Sequence, residues 1–267
     1  MNLCSLGHRT DLIFARYDGI VEDKGEYVVV RTPNNPTYWW GNYLIFAQPP
    51  KEGDAEVWLE HFRREIGEPP DIKHIALTWD SLNGEMGVVE PFLERGLEDD
   101  LMVVLATETL KPPPHPNTEA EFRILESDDD WQQALELQVL SRDEEFKNEA
   151  SYRDFRSRKM LRYRKMSEDG LGAWFGAFLD GKLVADLGLY KDDTLGRFQN
   201  VETHPEYRRL GLCGTLVHYA GQMAFNEWNL TTLVMVADPD YHAARIYESV
   251  GFVAREKQPG LERPGKQ

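Results

Sequence analysis

Cysteine is almost missing from this sequence, with Cys4 and Cys213 the only two among 267 residues. Two thiols build no disulfide framework, and no C-x-x-C pair occurs. The histidines are scattered, none followed by another four residues on, so metal-ligand spacing is lacking and no metal is expected. Long apolar runs are lacking too. No stretch approaches the roughly 20 residues that span a bilayer, and the opening MNLCSLGHRTDLIF has no basic region leading into a long apolar one. A cytoplasmic protein with no membrane association is therefore the expectation. Positive charge is short as well: 30 Lys and Arg stand against 46 Asp and Glu, a net charge of −16. General nucleic-acid binding needs cations to neutralise phosphates, so no nucleic-acid partner is expected. The acidic balance draws cationic substrates at long range, subject to screening by salt, and it also serves solubility.

Apolar residues are plentiful at 41%, and aromatics reach 11%, which supports buried cores and excludes wholesale disorder. The length suits two domains or one large one. The clearest punctuation is Lys111-Pro112-Pro113-Pro114-His115-Pro116-Asn117, where prolines remove backbone donors and fix φ. It reads as a stiff linker, residues 111–117, between an N-terminal α/β domain at 1–110 and a second domain at 118–256. The polar, Pro- and Gly-bearing end, 257–267, reads as a flexible tail.

After the linker, residues 121–125 suit a strand and 128–140 a helix, with Trp131, Leu135, Leu137 and Leu140 toward one face. A second helix covers 152–166. Its basic residues, from Arg156 to Lys165, are either the solvated side of an amphipathic helix or a contact for an anion. Residues 174–179 and 183–190 flank Asp180-Gly181, whose positive φ angles suit a type I′ hairpin turn. A further strand at 197–203 completes an antiparallel meander.

The stretch from Phe198 to Thr215 then reads as strand, tight turn and helix, the helix running to about Trp228. Gly211 and Gly214 keep side chains out of its first turn. Free N–H groups and the helix dipole there favour an anion, with Arg208 and Arg209 adding two positive charges. A diphosphate suits such a place, although many phosphate sites share these features.

Two blocks narrow the choice. His204-Pro205-Glu206-Tyr207-Arg208-Arg209-Leu210-Gly211-Leu212-Cys213-Gly214 resembles the pyrophosphate motif of the GNAT acetyltransferases, (Arg/Gln)-x-x-Gly-x-(Gly/Ala). Arg208 takes the first position and Gly211 the central one, while Cys213 replaces the second Gly or Ala. Residues 233–237 form the next strand, and Asp240 to Phe252 resembles the family's Asn-x-x-Ala-x-x-x-Tyr-x-x-x-Gly-Phe, with Asp240 in place of Asn.

The resemblance implies an α/β fold whose mixed, mostly antiparallel sheet splays between its fourth and fifth strands. It implies acetyl-CoA as co-substrate, with the pantetheine arm on the backbone of Val201 and Thr203. The diphosphate falls on Arg208, Arg209, Leu210, Gly211, Leu212, Cys213, Gly214 and Thr215, with Asp240 in the second block. Tyr247 becomes the acid that protonates the departing thiolate; the alternative is a core tyrosine bonded to backbone. Glu202, between Val201 and Thr203 and so pointing to the opposite side, is the candidate base, or else a surface residue at a strand end. His204 belongs to the turn. Cys213, at a helix start, is weighed as a nucleophile and set below a packing role. The implied acceptor is a primary amine of a small molecule or peptide, and a homodimer stays open.

The first half alternates strands at 26–32, 38–48, 72–79 and 101–107 with helices at 55–66 and 87–95. Ile75 to Asp80, then Phe92 to Leu97, parallels Leu233 to Asp238 and Tyr247 to Phe252. Phe92 falls where Tyr247 does and has no proton to give. The half reads as a degenerate, silent GNAT-like domain or as an unrelated α/β domain. The rival readings for the whole chain are a non-catalytic CoA-binding module and an interaction protein on a GNAT-like fold.

Overall fold

A computed structural model describes residues 1–142, 148–239 and 244–265. In chain order the first half runs α1 (Leu6–Asp18), β1 (Ile20–Asp23), β2 (Tyr27–Arg31), β3 (Tyr43–Phe46), α2 (Asp54–Glu65), β4 (Ile75–Trp79), α3 (Glu90–Leu93) and β5 (Glu98–Thr107). The second half runs β6 (Glu121–Ile124), α4 (Asp128–Leu140), α5 (Glu149–Glu168), β7 (Gly172–Leu179), β8 (Lys182–Asp192) and β9 (Leu195–Thr203), followed by α6 (Leu212–Glu227), β10 (Thr232–Ala237), α7 (Ala244–Ser249) and β11 (Val253–Arg263). Two compact units result. Met1–Val104, Val236–Pro239 and the chain from Arg255 onward form the first; Leu105–Met235 and the segment ending at Ala254 belong to the second.

In the first unit the strands lie in the order β1-β2-β3-β4-β11-β5. β3 and β4 run parallel, and every residue of both is buried. Strands covered on both faces carry unbroken apolar runs, as YLIF and IALTW do here. Alternation sorts their neighbours: Val28, Val30 and Ile45 meet Leu12 and Ala15 of α1, while Val29, Leu44 and Phe46 meet Trp58 and Phe62 of α2.

Several expectations shift. The expected flexible tail is strand β11, pairing Leu261 with Leu77 and Gly260 with Thr78. Thr78 Oγ1 donates to the Pro259 carbonyl at 2.6 Å, and Trp40 Nε1 to Glu262 at 2.9 Å. Leu261 is wholly buried, so a single apolar residue in a polar segment anchors the strand through partners far back in the chain. The strand at 38–48 shrinks to β3 after a short turn at Trp39–Gly41, and the helix at 87–95 to the single turn α3. Helix α1 was not anticipated. Its start is held by carboxylates distant in sequence: Glu256 accepts from Ser5 Oγ and Leu6 N, and Asp80 from Ser5 N.

In the second unit β6, β7, β8 and β9 pair antiparallel in sequence order, and β10 joins β9 in parallel. The hairpin turn has φ of 50° at Asp180 and 79° at Gly181, as a type I′ turn requires. Helix α4 starts from a full capping box, Ser127 with Asp130, and Arg123 grips Asp130 through two 2.8 Å bonds. Along α5, Arg153 pairs with Glu136 and Arg164 with Asp128 and Glu168, as a solvated face would. Lys159 and Arg162 are instead buried, so the basic run is divided between the two faces.

Candidate functional site

The site begins where β9 leaves β10. The two strands pair only at Leu195↔Thr232, Gly196↔Leu233 and Arg197↔Val234. Beyond that point β9 continues to Thr203 while still paired with β8. A bulge accompanies the divergence: the β8–β9 register shifts between Asp186 and Gly188, and Asn200 sits at φ 48°. Bulges bend a strand and increase its twist. Gln138 of α4 holds this one, donating from Nε2 to the Asn200 carbonyl at 3.1 Å and to Asp186 Oδ1 at 2.8 Å.

The chain then turns into α6. His204 caps a short turn at Pro205–Tyr207, its Nδ1 accepting the Glu206 N–H at 3.3 Å. Arg208 is extended, Arg209 is left-handed at φ 64° and Gly211 at φ 76°. No side chain caps α6, so the N–H groups of Leu212, Cys213 and Gly214 precede its first internal bond, from Thr215 N to Gly211 O. Successive main-chain N–H groups at such a turn can form an anion-holding concavity, and the helix dipole adds to it. Glycine is required at 211, since a Cβ there would lie 2.2 Å from the His115 carbonyl oxygen.

A cleft of about 700 Å³ joins these parts. The end of β9, Val201 to Thr203, forms one side, and Arg208, Arg209 and Gly211 form another. Leu212, Cys213 and Gly214 line it at the helix start, as does Tyr247 of α7. Glu202 lines the cleft together with both neighbours, because the end of β9 stands clear of β10. Leu210 and Thr215 lie outside the lining. Leu210 is half exposed and offers its carbonyl to Asn117, and the Thr215 hydroxyl donates to Gly211 O at 2.8 Å. Asp240 falls outside the described residues.

Tyr247 is buried, its ring meeting Phe252 edge-on at 6.5 Å. Burial, reinforced by the Glu202 charge, pushes the Cys213 thiol up to about 12, so it stays protonated at neutral pH. Burial and the nearby Lys182 lower the basicity of His204. Asp186 lies directly across from Glu202 in the β8–β9 ladder, so the two side chains share a face. Burial raises the Asp186 carboxyl well above the ordinary range; Trp174 Nε1 and Gln138 Nε2 bind it, and the Glu202 charge raises it further.

Sequence reasoning missed part of this wall. Pro113, Pro114 and His115 line the cleft, as do Tyr207, Ile246 and Ser249. The proline run had signalled only an extended chain, and nothing local shows where such a chain docks. Asp186 was missed because a lone acid in an apolar strand carries no motif.

The first unit has the same elements in a closed form. Helix α2 also starts at a left-handed glycine, Gly53 at φ 90°, but Asp54 and Glu56 occupy its first turn. β3 and β4 stay paired to their ends, Phe46↔Trp79, and the Asp80 N–H continues to the Phe46 carbonyl at 2.9 Å. Phe46 stacks on Trp58 with 3.6 Å between ring centroids. No opening comparable to that beside β9 exists between these strands.

Among the described residues no group of three or more His, Cys, Asp or Glu could hold a metal ion, and no helix is long and apolar enough to cross a membrane.

Comparison with known proteins is consistent with this geometry. Residues 131–252 match the family described as "Acetyltransferase (GNAT) family". No curated protein sequence matches the chain. Among solved structures, a GCN5-related N-acetyltransferase from Kribbella flavida is 20% identical with a TM-score of 0.67, over 98% of this chain and 97% of that one. A functionally unknown conserved protein from Staphylococcus epidermidis has a TM-score of 0.70 at 16% identity, over 94% of this chain and 96% of the other. A tandem GNAT protein from the clavulanic acid biosynthesis pathway is 12% identical with a TM-score of 0.55, over 84% of this chain and 76% of that one. At these identities the likeness is one of fold, and it extends over both halves of the chain.

Proposed function

Because residues 131–252 belong to the acetyltransferase (GNAT) family, we propose that the second unit transfers an acetyl, or another small acyl, group from acetyl-CoA to a primary amine by direct attack in a ternary complex. One observation carries this reading: a single cleft is lined both by Val201 to Thr203, where β9 runs on past its last pair with β10, and by the left-handed loop and uncapped start of α6. A ligand with a diphosphate at one end suits that distribution of donors.

Acetyl-CoA supplies the activated thioester carbonyl. The main chain at Val201 and Thr203 holds the pantetheine arm, and Arg208, Arg209 and the first N–H groups of α6 hold the diphosphate. A main-chain N–H of β9 stabilises charge on the carbonyl oxygen as the amine adds. Glu202, directly or through water, takes the proton from the acceptor ammonium, since only the free amine attacks. When the carbon–sulfur bond breaks, the Tyr247 hydroxyl gives its proton to the thiolate, and the second proton of the attacking nitrogen leaves through solvent, which returns one to the phenolate. The acceptor is a small molecule or peptide bearing that amine. The first unit, with acids at its helix start and Phe92 in place of a proton donor, is catalytically silent.

The test is acetyl-CoA turnover against a panel of amines, followed by release of the free thiol. Turnover with at least one amine, lost in Tyr247→Phe, supports transfer. Tight binding of acetyl-CoA without thiol release on any amine would leave a coenzyme-binding module.

A further inference from the structure

The proline-rich segment does more than connect. Residues 111–117 belong entirely to the second unit. Pro113, Pro114 and His115 face the cleft, and the His115 carbonyl passes close over Gly211. Pro113 reaches Gly214, where a Cβ would come within 3.3 Å of its ring. The segment therefore crosses the start of α6 at the place where the loop offers its unpaired N–H groups.

Asn117 fastens this crossing. Its main-chain N–H donates to Thr215 Oγ1 at 2.9 Å, and its Nδ2 donates to the Leu210 carbonyl at 2.9 Å. Its Oδ1 accepts from Glu119 N at 3.0 Å and Ala120 N at 2.8 Å, which turns the chain into β6. Thr215 Oγ1 in turn donates to Gly211 O. One residue thus spans the loop from Leu210 to Thr215 and ties it to the first strand of the sheet. A loop with two left-handed residues, one of them the non-glycine Arg209, persists only where its surroundings over-determine it.

Resting on the coenzyme reading above, we propose that Pro113–Asn117 is a strap forming the outer wall of the coenzyme cleft. Asn117 is its positioning residue, holding the Leu210–Thr215 loop in the form that receives a diphosphate. A loop set in its binding form before the ligand arrives avoids the ordering cost on binding. The strap makes coenzyme affinity depend on a segment outside the pyrophosphate motif.

The experiment is calorimetric titration of acetyl-CoA into the intact chain and five variants, Arg208→Ala among them, with Tm measured for each. Asn117→Ala removes both side-chain roles, whereas Asn117→Asp keeps the acceptor for Glu119 and Ala120 but loses the donor to Leu210. Thr215→Val removes the hydroxyl at near-constant shape, which keeps the test open if an Asn117 variant fails to fold. Lys111→Ala, an exposed side chain outside the cleft lining, serves as control. Each lost hydrogen bond predicts about 5- to 20-fold weaker binding for the first three variants and an unchanged Kd for the control. Hydrogen exchange gives a second readout that a merely structural role would not move: acetyl-CoA should slow exchange at Asn117, and less so in Thr215→Val. If Arg208→Ala weakens binding while folded Asn117 and Thr215 variants match wild type, the strap proposal falls and the coenzyme reading stands. No binding of acetyl-CoA by the wild type would overturn both.

Discussion

Phe92 and Tyr247 occupy equivalent positions in matching turns. The Phe92 carbonyl accepts the Leu97 N–H at 3.2 Å, and the Tyr247 carbonyl accepts the Phe252 N–H at 3.1 Å. Gly96 at φ 78° and Gly251 at φ 111° precede those donors, and both rings are buried. The same helix ending is present in each half, and what separates the two rings chemically is one hydroxyl.

That hydroxyl gives the first prediction. Tyr247→Phe lowers kcat by about 10²- to 10⁴-fold, the span of general-acid catalysis, and leaves acetyl-CoA affinity nearly unchanged. Phe92→Tyr creates no second site, because β3 and β4 stay closed beside it. Calorimetry should give one acetyl-CoA per chain in wild type and in Phe92→Tyr. A stoichiometry near two would end the silent reading of the first unit.

The loop before α6 gives the second. Arg208→Ala removes a charged phosphate partner and should weaken acetyl-CoA binding about 10- to 100-fold, with little change in Tm. Gly211→Ala adds a Cβ at φ 76°, against the His115 carbonyl. It should cost about 1–3 kcal/mol of stability as well as affinity. Thermal melts with and without acetyl-CoA separate the two effects. Equal ligand-induced shifts in both variants and wild type would misplace the site.

Asp100 gives a pH dependence. Burial, with the charges of Asp238 and Asp99, raises its carboxyl to about 6. The folded state then holds this proton more tightly than the unfolded chain does. The resulting stability is fully present below the unfolded value near 4 and is lost as pH rises through about 6. Asp100→Asn should therefore stabilise the protein at pH 8 and change little at pH 4. The difference from the ordinary value sets a ceiling of about 3 kcal/mol, and partial solvent screening brings the expected gain to about 1–2 kcal/mol. Denaturant titrations at both pH values decide it. An equal gain at pH 4 would show that the effect is not ionisation.

The two cysteines should separate under alkylation. Cys4 is exposed, whereas the Cys213 thiol is held protonated. Iodoacetamide at pH 8 should label Cys4 first, giving one adduct by intact mass before any second. Cys213→Ala should keep kcat within a few-fold. A hundred-fold loss would restore the cysteine to the chemistry.

Much of the second unit was legible because its signals are local. The hairpin turn follows from Asp180-Gly181, whose two residues tolerate positive φ, and the Ser127 cap from its spacing to Asp130. The helix start at Gly211 follows from glycine and arginine spacing, which places a left-handed residue beside two charges. The echo between Phe92 and Tyr247 was readable for the same reason: a short turn stores its pattern within a few residues.

What sequence alone determined, then, is the set of elements whose hydrogen bonds close within one turn or one hairpin, and the residue types that load the cleft. Tertiary structure decided whatever depends on partners far along the chain. Strand β11 exists because Leu261 finds Leu77, and α1 because Glu256 and Asp80 reach its first turn. The proline segment becomes a wall because Asn117 meets Leu210 and Thr215. The opening beside β9 accompanies the bulge that Gln138 of α4 holds, whereas β3 and β4 remain closed. Such choices come from burial and hydrogen bonding between segments brought together only by folding, and no spacing within a single segment encodes them.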